Sequence, residues 1–180
     1  MIVKIFENEE IVGRAAADAI IAQINKKPDS VLGLPTGSSP VPTYKTLIAA
    51  CKEGRVSFAG VKTFNLDEYV GLAPTHEQSY RYFMNDNLFD HVDIDKKNTS
   101  LPCDGSALSD EEAAKYDEKI KAAGGIDLQL LGIGNNGLSR STSRAARSIR
   151  SHTSRRSQRT QERQTRDSLR EKPTRFPSMP

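Results

Sequence analysis

The chain has 180 residues, enough for one ordinary domain, with 36% apolar and 27% charged side chains and a formal net charge of +3. No apolar run approaches the roughly 20 residues needed to span a bilayer. Cys51 and Cys103 are too few, and too far apart, for a disulfide framework or a zinc site.

The averages hide two populations. Residues 1–137 carry 14 Lys and Arg against 20 Asp and Glu, while residues 138–180 carry 12 against 3. Three arginines (Arg14, Arg55, Arg81) precede Leu138 and eleven follow it, which is a switch in composition and not a gradient. The N-terminus MIVKIFENEE places acids directly after a short apolar run, so no signal peptide is expected. A soluble, cytoplasmic protein with reduced thiols follows as the expectation.

In chain order, Ile2–Phe6 (IVKIF) is β-branched and aromatic and predicts a strand. Asn8 followed by acids caps a helix running to about Lys26, with Val12, Ala16, Ala19, Ile20 and Ile24 spaced along one face. SVLGL (30–34) predicts a second strand, PTGSSP (35–40) a tight polar loop, and TYKTLIAACKEG a helix ending near Gly54. VKTFNL (61–66) predicts a third strand and QSYRYFMNDNLFDHV a third helix. NTSLP fits a short strand, and DEEAAKYDEKIKAAGG a helix stopped by Gly124 and Gly125. IDLQLLGIG lacks clean alternation, which suits a strand covered on both faces. Strand alternating with helix implies an α/β fold. The expected form is an open, doubly wound, Rossmann-like and mostly parallel sheet with helices on both faces.

Ligands of such sheets sit beyond the carboxyl ends of the strands, where three polar segments fall. In PTGSSP, small residues let backbone N–H groups turn inward ahead of a helix, with Ser and Thr hydroxyls as added donors, which makes a phosphate cradle. It is no Walker A loop, since no Gly-Lys-Ser/Thr follows, and an ordinary strand-to-helix turn would look the same. In FNLDEYVG, Asp67 and Glu68 stand just past a strand, a suitable place for a general base but also for a solvated acidic turn. GIGNNG offers backbone donors and the amides of Asn135 and Asn136 for sugar hydroxyls; with no helix following, it is not a dinucleotide motif. His76, His91 and His152 have no metal-ligand spacing and read as lone surface histidines.

Together, VLGLPTGSSPVPTYK, FNLDEYVGL followed by HEQSYRYFM, HVDID, and KIKAAGGIDLQLLGIGNNG resemble the glucosamine-6-phosphate deaminase family in order and spacing, up to Gly137. The resemblance implies conversion of glucosamine 6-phosphate and water to fructose 6-phosphate and ammonia, with neither a metal nor an organic cofactor. It implies that Asp67 shuttles the proton between C1 and C2 and that Thr36, Gly37, Ser38 and Ser39 belong to the phosphate loop. It also implies that Asn136 opens the ring-opening set and that Tyr80 lies near the substrate lid. Members are often homo-oligomeric; for this chain, with part of the fold missing, the resemblance does not carry that far.

After GNNG the family continues His-Ile-Gly/Ala-Phe-Asn-Glu-Pro, whose His and Glu serve ring opening. Here Leu138 stands at the His position and the Glu has no counterpart. Suitable codons for Ser139–Arg150, read one base earlier, translate as IAFNEPGSSFDS, and RQTRDSL (163–169) shifts the same way into ANARFF. Residues 138–180 therefore read as a frame-shifted, Ser/Arg-rich and disordered tail, appended to 1–137 as the N-terminal part of a domain whose C-terminal part is missing. The rival reading, a tail binding nucleic acid through its phosphates, predicts weak, salt-sensitive and non-specific association at most. Another rival is a sugar-phosphate-binding remnant without catalysis.

Overall fold

A computed structural model describes residues 2–69, 71–103 and 110–132. All of them fall in one compact unit. The tail expected at 138–180, and the GNNG segment before it, lie outside the described residues.

Four parallel strands, β1 (Val31–Leu34), β2 (Lys62–Asn65), β3 (Thr99–Ser100) and β4 (Leu128–Gln129), form one sheet in the order β3-β2-β1-β4. The helices are α1 (Glu9–Lys26), α2 (Val41–Lys52), α3 (Tyr80–Asn87) and α4 (Asp110–Ala122). The chain steps from β1 to β2 to β3 in one direction and then crosses back to β4 on the far side of β1. Right-handed crossovers consequently put α2 and α3 on one face of the sheet and α4 on the other. This is the doubly wound α/β arrangement expected, and β1 sits at its switch point.

The faces differ in content. Ile20, Ile24, Tyr44, Leu47, Met84 and Phe89 from the α1–α3 side enclose Leu32 and Leu34 in the larger core. Across the sheet, Val31 and Phe64 meet Tyr116, with Ile120 and Ile126 packed against them. The two-residue alternation of a strand sorts the side chains of β1 and β2 between these cores.

Asn8 caps α1 through Oδ1, which accepts from Ile11 N at 3.0 Å, with Glu9 and Glu10 in the first turn. The buried stripe, however, is Gly13, Ala17, Ile20, Ile21 and Ile24, while Val12 is 48% exposed. The helix is rotated because Gly13 is its contact with α2: a Cβ there would lie 2.6 Å from Pro42 Cβ and 2.9 Å from its carbonyl carbon. Hydrophobicity counting gives glycine no weight, so it selects the wrong neighbours.

The strand expected at Ile2–Phe6 does not form; Ile2 and Ile5 are 88% and 93% exposed. β-Propensity is realised only against a neighbouring strand, and neither edge strand, β3 or β4, pairs with this segment. α3 is shorter than expected and gives way to a 3-10 turn at Phe89–His91. At its end Asn87 turns its amide back onto Phe83 O at 2.9 Å, the competition with backbone bonding that makes Asn a poor interior residue. β4 is brief, but Asp127 N donates to Val31 O at 2.8 Å and Leu130 N to Gly33 O at 2.9 Å, extending its pairing with β1.

Candidate active site

Register brings the first two polar segments together. Leu34 pairs with Asn65, so the chains leaving β1 and β2 emerge side by side at the carboxyl edge. Asn65, fully buried, locks the exit with Nδ2 donating to Leu34 O at 2.9 Å. Thr36 and Asp67 each stand two residues beyond this pair. The crevice of a doubly wound sheet opens at the point where strand order reverses, which here lies between β1 and β4.

The loop after β1 is held at its root. Tyr44, completely buried on α2, donates its hydroxyl to Pro35 O at 2.5 Å, and burial pushes that phenol well above its ordinary pKa. Val41 N closes the loop onto Ser38 O at 3.2 Å. Between these anchors Gly37, Ser38 and Ser39 are exposed and Thr36 is half-buried. Gly37 has φ +100°, a conformation that favours glycine, and no side chain caps α2. Hydroxyls and a helix N-terminus are thereby presented outward, as a phosphate requires.

The loop after β2 is built differently. Asp67 is half-buried. Glu68 turns back, and its Oε1 accepts from Tyr69 N at 2.8 Å and Tyr80 N at 2.7 Å, while Oε2 accepts from Arg81 N at 2.8 Å. One carboxylate thus binds the acid loop to the first turn of α3, where the helix dipole favours negative charge. Ser79 completes the cap, accepting from Tyr82 N at 3.0 Å and donating to Pro74 O at 3.0 Å. Tyr80 and Tyr69 lie with ring centroids 4.6 Å apart and hydroxyls at 3.2 Å.

Beneath, Arg81 donates Nη1 to Thr99 Oγ1 at 2.7 Å and Nη2 to Thr99 O at 3.2 Å, tying α3 to β3. Burial lowers its pKa while the charge of Glu68 works against the shift. Tyr116 reaches from α4 to Asn65 O at 2.8 Å and Ser100 O at 3.0 Å, sharing its one proton across the ends of β2 and β3. Its burial likewise raises its pKa.

Of the residues singled out from sequence, Thr36, Gly37, Ser38, Ser39 and Asp67 fall on these two adjoining loops, and Tyr80 opens α3 against the second. Asn136 lies outside the described residues. Sequence reading misses the anchors: it assigns no role to Tyr44, Asn65, Arg81 or Tyr116, and Glu68 is visible only as a second acid. His76 and His91 are exposed and bond locally, to Gln78 N at 3.1 Å and Asp86 O at 2.8 Å. Among the described residues, no group of three or more His, Cys, Asp or Glu comes together as metal ligands. None of their helices is long and apolar enough to cross a membrane.

Residues 7–141 match the family described as glucosamine-6-phosphate isomerases/6-phosphogluconolactonase. A glucosamine-6-phosphate deaminase of Cellvibrio japonicus is 56% identical over 137 residues, which cover 76% of this chain and 52% of the relative. One from a Thermoanaerobacter species is 52% identical over 130 residues, covering 72% and 51%. The chain therefore spans about half the length of the curated relatives it matches. Among solved structures, a monomeric glucosamine-6-phosphate deaminase superposes with a TM-score of 0.73 at 38% identity, over 77% of this chain and 58% of that one. A 6-phosphogluconolactonase from Thermotoga maritima superposes at 0.63 with 20% identity over 78% and 63%, a likeness of fold alone.

Proposed function

The chain belongs to the glucosamine-6-phosphate isomerase/6-phosphogluconolactonase family, and from that premise we propose that it carries the phosphate-binding and proton-transfer half of a glucosamine-6-phosphate deaminase site. The observation carrying this reading is the pairing of Leu34 with Asn65, which sets the Thr36–Ser39 loop beside the Asp67 loop at the carboxyl edge of the sheet. The loop hydroxyls and amides hold the 6-phosphate. Asp67 takes the proton from C2 and returns it at C1, so that the 2-amino aldose becomes a ketose imine, which water hydrolyses to the ketose and ammonia. Tyr80, its ring tilted against that of Tyr69 beside the acid loop, lines the sugar's approach. Asn136 contributes an amide to ring opening. The cytoplasm, where free Cys51 and Cys103 stay reduced, is the setting that fits.

Turnover by this chain is impaired under the same reading. Ring opening precedes enolisation, and Leu138, at the position of the family's His, has no titratable group to relay a proton. General acid–base assistance is worth about 10²–10⁴-fold.

The test measures ammonia released from glucosamine 6-phosphate by this chain and by one whose residues after Gly137 are returned to the family's reading frame. The second should be faster by orders of magnitude, and Asp67→Asn should silence both. Equal rates in the two chains would sink the impairment. Undiminished turnover in the Asn variant would sink the role of Asp67.

A further inference from the structure

The opposite, amino end of the sheet holds a second concentration of charge that the proposed reaction does not use. Lys62 opens β2, Lys97 lies in the 3-10 turn Lys96–Asn98 before β3, and Lys119 is on the last turns of α4. The three line one cleft of about 260 Å³ together with Asn98, Ser100 and Phe64.

The pleat explains their convergence. Lys62 and Phe64 are two residues apart and share a face, and Phe64 packs edge-on against Tyr116 with ring centroids 5.7 Å apart, so that face is the one α4 covers. Ser100 pairs with Phe64 in register and joins the same face. Lys119 lies one turn beyond Tyr116 on α4. Three separate elements therefore each contribute a lysine to the lining of one recess.

The neighbouring lysine shows what is unusual here. Lys96 is paired with Asp90, and Lys27 with Asp127 at 2.7 Å. Among the described residues, none of Lys62, Lys97 and Lys119 has an ion-pair partner. Like charges gathered without a counter-ion repel, and a bound anion reverses the sign of that interaction.

We propose that this cleft is an anion site for a small, multiply charged phosphate compound, separate from the loop at 35–40. Lysines are point charges that suit phosphate oxygens from several directions, without the fixed fork geometry of arginine. Asn98 and Ser100 add side-chain hydrogen-bonding groups. Phe64, Ala122 and Ala123 give an apolar wall. The volume lies just below the roughly 300–1,000 Å³ of drug-sized ligand pockets, so the occupant is compact. This inference does not depend on the proposed reaction.

Inorganic pyrophosphate is the probe, titrated calorimetrically into the 180-residue chain at low salt. Saturable binding that weakens with added chloride is expected. The variant Lys62→Gln/Lys97→Gln/Lys119→Gln should lose about tenfold or more in affinity, each exposed charge being worth about two- to fivefold. A charge-matched control, Lys4→Gln/Lys26→Gln/Lys52→Gln, removes three exposed lysines elsewhere and should change little, since screening acts beyond about 8–10 Å. The arginine-rich stretch 138–180 is common to every chain and cancels. Should the triple variant misfold by circular dichroism, Lys97→Gln alone, on an exposed turn, should still bind more weakly. Equal losses in pocket and control variants, an unchanged affinity for Lys97→Gln, or no saturable binding would overturn the site.

Discussion

The loops leaving β1 and β2 emerge side by side, yet they are held by opposite means. In the acid loop a carboxylate, Glu68, gathers three backbone amides and welds the segment to α3. In the phosphate loop the restraints are one phenol on the Pro35 carbonyl at its root and one backbone bond from Val41 N to Ser38 O at its end, and Gly37, Ser38 and Ser39 stay exposed. Their proposed tasks account for the difference. A proton shuttle needs its carboxylate fixed in position against two carbons. A loop that wraps a phosphate must leave its own donors unspent.

The largest effect falls on chemistry. Asp67→Asn should lower whatever ammonia release the chain or its frame-restored form supports by at least about 10²-fold, with the Tm of the protein nearly unchanged. Chemistry and folding would then be separable within two adjacent residues, because Glu68 is the reverse case. Glu68→Ala strips the acceptor from three amides and a partner from Arg81, and should cost about 2–4 kcal/mol by chemical denaturation. Glu68→Gln, which keeps an acceptor oxygen, should recover part of that loss. If Glu68→Ala were as stable as the parent, the contrast between the loops would collapse.

The phosphate loop should respond more mildly. Tyr44→Phe leaves Pro35 O without its donor in a buried setting, at about 1–3 kcal/mol, and should raise KM for the sugar phosphate more than it lowers kcat. Gly37→Ala meets no atom within 4 Å, so only its φ of +100° opposes the change, at about 1–2 kcal/mol. Gly13→Ala makes a useful reference because space decides it. Helix propensity gains about 1 kcal/mol, but the new Cβ meets Pro42 backbone at 2.9 Å, and overpacking typically costs about 1–3 kcal/mol, so net destabilisation is expected.

These residues also mark how far the sequence can be read. The alternation of strands and helices and the polar loops are legible, because periodicity and turn chemistry are local. Thr36–Ser39 and Asp67 stand out from the sequence alone, as polar residues directly following apolar strands. What stays hidden acts at long range. Glu68 finds Tyr80 twelve residues on, Asn65 finds Leu34 across two strands, and Tyr116 finds Asn65 across fifty-one residues. Ile2–Phe6 misleads in the opposite direction: its composition is that of a strand, but no neighbour pairs with it.

The Glu68 device recurs in more exposed positions, and these give the smallest expected effect. Asp127 accepts from Lys27 Nζ at 2.7 Å and from Val31 N at 2.8 Å, tying β4 to the start of β1. The bond from Lys27, then that from Val31, holds its carboxyl below the usual carboxylate range. Asp93 accepts from Ser57 and from Phe58 N; burial pushes it up, but those hydrogen bonds outweigh burial and leave it lowered too. A folded pKa below the unfolded value means the native state prefers the ionised form. The stability so gained is complete above the unfolded pKa and is lost as pH falls through the folded one, beginning below about pH 5. Asp127→Asn and Asp93→Asn should therefore each flatten the acid limb of a stability-versus-pH curve, with their largest cost near neutrality and little near pH 2. Water screens Asp127 and Lys27, so its share should be the smaller and should shrink further in added salt, whereas the half-buried Glu68 should be nearly indifferent to salt. A salt response at Glu68 as steep as that at Asp127 would show that the acid loop is no better anchored than the surface, and that the contrast between the loops is not one of restraint.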